Sequence, residues 1–362
     1  MMSNSQQNGV SAFGIASTFI GTIIGAGFAS GNEILQYFVS QGWWGLGAIL
    51  VATAGFYWFG KISLQLGYYL KTEEYSHAIS PSDSPWPRRY CDLMITVTLF
   101  GTFVIMIAGA GGLLANLFGL PAIYGSIGIG VLVVLNLLWG MNGLVRIQEL
   151  MVPALIAGCV LVGLFFTFNP IAGADKPSEI ITSPFLVHWI PNGILYVAFN
   201  FQLAIAVLVP LGAAAQSRQT LQKGVFWGAL GLFAGSATIF TALLLNQGAV
   251  GNQAYPMVTL AEQIFSGLGY VYAAILVFGL YSTAISCFYG TILRVHETKM
   301  FARLNQVWVM IIMSAVGVVL SRFGFSDLIG RIYPILGFGG LLVMVFMIMV
   351  AVKKLPVLTA RN

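Results

Sequence analysis

The sequence predicts an all-α integral membrane protein of ten transmembrane helices, arranged as a 5+5 inverted repeat with helices 1 and 6 discontinuous. Three observations lead there. Of the 362 residues, 58% are hydrophobic and only 7% are charged, with a mean hydropathy of +0.89. Soluble domains carry about a quarter charged residues, so this chain cannot cover a water-facing surface. Ten apolar runs each approach the roughly 20 residues that a hydrocarbon core requires. Lysine and arginine fall unevenly on the two sides of those runs. A soluble enzyme, a nucleic-acid binder and a disordered chain are excluded, and the net charge of +5 reads as topology rather than nucleic-acid affinity.

The runs lie at residues 11–40, 44–70, 89–118, 121–140, 144–168, 190–216, 221–247, 266–293, 304–322 and 326–352. They do not alternate polar and apolar as barrel strands do. Met1 to Val10 hold no Lys or Arg, so the first run does not read as a cleaved signal peptide. With the N-terminus in the cytoplasm, Lys61, Lys71, Arg88, Arg89, Arg146, Arg218, Lys223, Arg294, Lys299, Arg303, Lys353, Lys354 and Arg361 fall inside. Lys176, Arg322 and Arg331 fall outside. This asymmetry supports an even span count, a cytoplasmic (inner) membrane location and cytoplasmic segments at 1–10 and 353–362.

A polar, Pro-rich inner loop is expected at 71–88, an outer loop at 248–265 between spans seven and eight, and an outer connector at 169–189. The connector separates a first five-helix repeat, 11–168, from a second, 190–352. An odd number of spans per half forces the second half to enter from the opposite side, which is the condition for an inverted repeat.

Span one holds Gly21-Thr22-Ile23-Ile24-Gly25-Ala26-Gly27, followed by Gly31 and Asn32. Glycine is a poor helix former. Unwinding here would free carbonyls for a cation and amides for an anionic substrate group. Gly21-xxx-Gly25 and Gly27-xxx-Gly31 also fit close helix packing without unwinding. The polar neighbours Thr22, Ser30 and Asn32 and the carboxylate of Glu33 favour the first reading, because an intramembrane acid is a functional residue by default. The bland alternative has Glu33 snorkelling to the outer interface. A dinucleotide fingerprint is rejected, since Gly25-Ala26-Gly27 lacks the third glycine and any βαβ unit.

Span six carries Asn200-Phe201-Gln202 near its centre, with Tyr196 and Phe199 before it and Pro210 after it. Amides both donate and accept, which suits a polar or zwitterionic ligand, although they also serve as interhelical glue. Span eight offers the hydroxyls of Ser282, Thr283 and Ser286 as hard cation ligands, unless they bond their own backbone. Span three adds Thr98, Gly101, Thr102 and Gly109 to Gly112, with Thr102 in the candidate substrate set.

The run GTIIGAGFASGNE, the LYSTAIS segment and the ten-span length resemble the YkvI-like membrane proteins of the amino acid–polyamine–organocation superfamily, over essentially the whole chain. That resemblance implies the leucine-transporter (LeuT) fold and a transport role. The G-x-x-x-G-x-G break of sodium-coupled members is matched by Gly21, Gly25 and Gly27. It implies a Na⁺ site from the carbonyls of Gly21 and Ile24 with Ser282 and Thr283, and a substrate carboxylate on the amides of Ala26 and Gly27. Members with a second sodium site carry Asn directly after the last glycine, where Phe28 stands here.

Glu33 and Arg331 are expected to pair as an outer gate, with Glu33 as the alternative proton carrier. Asp92 and Glu149 read as surface-pairing residues beside Arg88, Arg89 and Arg146. His77, His188 and His296 are expected in loops, and the scattered Cys91, Cys159 and Cys287 form no disulfide framework. No nucleophile–base or paired-carboxylate pattern points to an enzyme. The expected function is a secondary transporter for a small polar or zwitterionic solute, amino-acid-like or an amine. It needs no cofactor and uses Na⁺ as coupling ion. The rivals are proton coupling through Glu33 and a ligand-sensing receptor on the same fold, as in the superfamily's spore germinant-receptor subunits.

Overall fold

The computed structural model describes residues 9–71, 85–139, 142–174, 183–297 and 304–360. Most of the 71–88 loop, the middle of the 169–189 connector and His77 lie outside them, as do the side chains of Arg146 and Glu149. The described residues form helices with one isolated bridge between Val10 and Ala215.

The first apolar run folds as three pieces: α1 (Ala12–Ile23), α2 (Ala26–Ala29) and α3 (Asn32–Tyr37). Ser11 caps α1, its hydroxyl accepting from the Gly14 N–H at 3.1 Å. Then come α4 (Trp44–Leu70), α5 (Pro85–Phe118), α6 (Ala122–Trp139), α7 (Asn142–Phe168) and α8 (Trp189–Ala213). The remainder comprises α9 (Arg218–Leu245), α10 (Gln247–Val250), α11 (Pro256–Ile264), α12 (Ser266–Glu297), α13 (Gln306–Leu320) and α14 (Phe325–Ala360).

Among the described residues, seven helices are long and apolar enough to cross a bilayer, and three shorter apolar ones accompany them. Polarity is arranged inside out. Phe13, Leu50, Trp58, Trp227, Val271 and Trp308 are exposed, while Ser30, Asn32, Glu33, Gln36, Asn200 and Gln202 are buried. That distribution suits hydrocarbon outside and polar function within.

Three expectations need correction. Span six is not interrupted: α8 runs unbroken through Asn200 and past Pro210. The 248–265 loop is largely helical, with Pro256 opening α11 at a position where its missing N–H costs nothing. His296 sits in the last turn of α12 rather than in a loop. The three cysteines are free and buried.

Packing is organised around two long pairs. α4 lies along α8, and α9 along α1; α5 packs on α12, and α14 on both α8 and α5. α7 packs on α9 and α12, and α6 on α5 and α13. Glycines set the closest crossing. A Cβ on Gly67 would meet the Val209 carbonyl, and one on Gly212 the Leu64 carbonyl, so α4 and α8 touch backbone to backbone.

Candidate functional site

The site begins where α1 stops. The Ile24 N–H makes the last regular bond, to Ile20 O at 2.8 Å, and the Gly25 N–H turns back to Ile23 O at 3.0 Å. Regular bonding resumes with the Ala29 N–H on Gly25 O at 3.1 Å. Ile24 (φ −78°, ψ 91°) and Gly25 (φ −97°, ψ −176°) are extended. Among the described residues, no backbone bond therefore satisfies the carbonyls of Gly21, Thr22 and Ile24, or the amides of Ala26, Gly27 and Phe28. Such groups cannot face lipid. Gly21, Thr22 and Gly25 are partly accessible, and no atom lies within 4 Å of where a Gly25 Cβ would sit. A second break follows at Gly31 (φ +82°), whose missing side chain leaves room for Met257 and Pro256 of α11.

Beyond the break the chain is tightly held. The Tyr272 hydroxyl donates to Ala29 O at 2.7 Å, and the Met257 N–H to Ser30 O at 3.1 Å. Asn32 Nδ2 donates to Ala254 O (3.0 Å) and Ser326 Oγ (2.8 Å). Gln36 Nε2 donates to Asn32 Oδ1 (2.7 Å) and Ser326 O (2.8 Å). These bonds join α3 to the segment before α11 and to α14.

Glu33 is only 4% exposed. Its Oε2 accepts from the Tyr196 hydroxyl at 3.1 Å, and its Oε1 folds back against Gly27, in the space a Cβ would need. No basic side chain pairs with it among the described residues. The expected Glu33–Arg331 gate is thus incorrect. Arg331 points outward, 68% exposed, and lies 3.8 Å from Asp327 one turn away on α14. The snorkelling alternative for Glu33 fails with it. Asp92 pairs with Arg294 of α12 at 3.5 Å, across the α5–α12 contact.

The candidate residues of α8 do not converge. Tyr196 and Asn200 share one face, with Asn200 Nδ2 bonded to Tyr196 O at 3.0 Å. Phe201 turns to Phe59 of α4, ring centroids 5.5 Å apart, and is a packing residue. Gln202 faces α5 and α14, accepting from Thr98 Oγ1 at 3.0 Å and donating to Leu336 O at 2.8 Å. It acts as a brace between helices. Thr102, on the same side of α5 one turn on, is buried with its hydroxyl unpartnered.

α12 meets the break through Gly279, 3.5 Å from the Ala26 Cβ by its own missing Cβ. Thr283 Oγ1 donates to Gly279 O (2.9 Å) and Ser286 Oγ to Ser282 O (3.1 Å). Ser282 is buried and Ser286 exposed.

Comparison with known proteins places this geometry. The chain is 25% identical over 345 residues to the membrane protein YkvI of Bacillus subtilis (strain 168), covering 92% of this chain and 94% of that one. It is likewise 25% identical over 335 residues to YyaD of the same organism, covering 91% and 94%. The chain is a homologue of YkvI and YyaD. No family model matches it. Among solved structures it superposes on inward-facing Mhp1 with a TM-score of 0.61 at 13% identity, covering 96% of this chain and 79% of that one. MhsT in complex with L-phenylalanine gives 0.60 at 16% identity, covering 94% and 89%. A Na⁺-coupled sialic acid symporter in a substrate-bound outward-open state gives 0.59 at 15% identity, covering 95% and 82%. These likenesses give the chain the LeuT fold of those structures.

Sequence reasoning missed four contributors. Tyr37 is buried with its hydroxyl unpartnered, and its i,i+4 spacing from Glu33 on α3 was a usable signal. Gln36 and Tyr272 carry hydrogen bonds that hold the broken span. Tyr333 stacks on Phe199, centroids 3.8 Å apart, a contact across 134 positions of sequence that no local pattern announces.

Proposed function

We propose that the protein is a secondary transporter that moves a small polar solute across the cytoplasmic membrane by alternating access, coupled to Na⁺. The observation that carries this reading is the interruption at Ile24–Gly25, where peptide groups lack backbone partners inside an apolar bundle and Gly21, Thr22 and Gly25 remain partly accessible. Gly21 and Ile24 supply carbonyl oxygens to the ion, and Ser282, Thr283 and Ser286 of α12 complete its shell. Thr22, Gly25, Ala26, Gly27, Thr102, Tyr196 and Asn200 face the solute.

The ten-span, 5+5 organisation, with both termini cytoplasmic and repeats at 11–168 and 190–352, draws support from the packing. Exchange each span for the one five places on. The α1–α9 contact becomes α8–α4, α14–α4 becomes α7–α9, and α14–α5 becomes α7–α12, all of which exist. The α5–α12 and α6–α13 contacts map onto themselves. Two halves related in this way can rock about a fixed site, and an ion that stabilises the solute-ready arrangement couples the two gradients reciprocally.

A second reading, proton coupling through Glu33, is favoured by the burial of that carboxylate without a basic partner. Uptake of labelled amino acids and amines into proteoliposomes, with a Na⁺ gradient or an equal K⁺ gradient at fixed pH, decides between them. Uptake that collapses in K⁺ supports sodium, and uptake that persists supports the proton. Binding with no flux under either gradient would overturn carriage altogether.

A further inference from the structure

Resting on the carrier reading, we infer that Glu33 is the built-in counter-charge for the ammonium group of an organic cation, so that the solute is an amine lacking a carboxylate beside its nitrogen. A buried charge persists only with a partner, or else takes up a proton. Among the described residues Glu33 has one hydroxyl donor, from Tyr196, and no basic side chain. The titratable groups close enough to feel its charge are Tyr37 on α3, Tyr196 on α8 and Tyr333 on α14. None of them can be a cation.

The surroundings suit an organic cation better than a bare metal ion. Tyr37, Phe38 and Phe56 ring Tyr196 with centroids 5.2, 5.1 and 5.9 Å away, and aromatic faces attract ammonium groups. The Tyr37 hydroxyl is buried with no partner, leaving an acceptor for an ammonium N–H. The carboxylate of a zwitterionic solute would need the space above Gly27, and Glu33 Oε1 already fills it. A second carboxylate there would meet a like charge at contact distance, which disfavours its ionised form. The protein's own side chain stands in for the acidic half of an amino acid, leaving the amine half to the solute.

The test is a thermal-shift titration of the purified full-length protein at fixed Na⁺ and pH. Phenethylamine, putrescine and ethanolamine are compared with their carboxylated counterparts phenylalanine, ornithine and serine. At least one amine should raise Tm where its counterpart at equal concentration does not, and Glu33→Gln should weaken that response at least tenfold. If Glu33→Gln does not fold, Tyr37→Phe is the second variant, and it should weaken the same response at least threefold. Four results would overturn the inference: counterparts stabilising as well as the amines, an amine response unchanged in the variant, no response to any of the six, or a Glu33-dependent response to Na⁺ alone. The carrier reading would survive all four and fails only by absence of flux in the gradient assay.

Discussion

The Glu33 carboxylate lies against the backbone of Gly27, so a side chain at position 27 would have to displace that carboxylate. Six residues apart in sequence, the two are brought together by the Gly31 turn, which folds α3 back toward the break. A helix continuous through this region would hold them about one and a half turns apart. The contact is therefore a consequence of the broken span.

Gly27→Ala should destabilise the protein by about 1–3 kcal/mol, the usual cost of forcing a methyl into filled space. Gly25→Ala, with nothing within 4 Å of its Cβ, should leave thermal unfolding within about 0.5 kcal/mol of the parent. Unfolding in detergent checks both, and equal costs at the two positions would contradict the geometry.

Gly31→Ala combines a left-handed backbone (φ +82°) with collision against Met257 and Pro256. Gly42→Ala has the backbone penalty alone (φ +56°) and open space. We expect about 1–3 kcal/mol at position 42, where φ +56° with ψ −141° is close to a glycine-only conformation, and at position 31 about 1–2 kcal/mol of left-handed strain plus the cost of the collision. The same unfolding measurement reads the difference.

Tyr196→Phe removes the hydroxyl that reaches Glu33. A buried acceptor left without its donor costs about 1–3 kcal/mol. In the double variant with Glu33→Gln the two costs should fall short of additivity by at least about 0.5 kcal/mol, as expected for groups in contact. Additive values would place the two side chains apart in solution.

Much of this was readable from residues alone. The run 44–70 is α4 to the residue, and 190–216 and 266–293 overlap α8 and α12 closely, because hydropathy and turn residues act locally. The weakness at Gly21–Gly27 was readable for the same reason. Side-chain direction was not. Phe201 sits beside Asn200 in sequence but turns to α4, as one residue of helix rotates about 100°. Glu33 and Arg331 looked like partners by charge and depth, yet Asp327 stands one turn from Arg331 and offers the nearer carboxylate. The continuity of α8 through Asn200 and past Pro210 was not announced by composition either.

Asn32→Ala should loosen the end of the bundle where α3 meets α14, since Asn32 bonds Ala254 O, Ser326 Oγ and Gln36 at once. Cysteine introduced at Ser326 should react with a water-soluble maleimide several-fold faster in the Asn32→Ala background. An unchanged rate would show that this network does not hold the end closed.

Hydrogen exchange of the peptide spanning residues 21–31 tests the accessible break in the first span most directly. With the amides of Ala26, Gly27 and Phe28 lacking backbone partners, this peptide should exchange far faster than residues 196–206 of α8, and added Na⁺ should slow it. Exchange as slow as in α8, with no response to Na⁺, would contradict the open, ion-binding break.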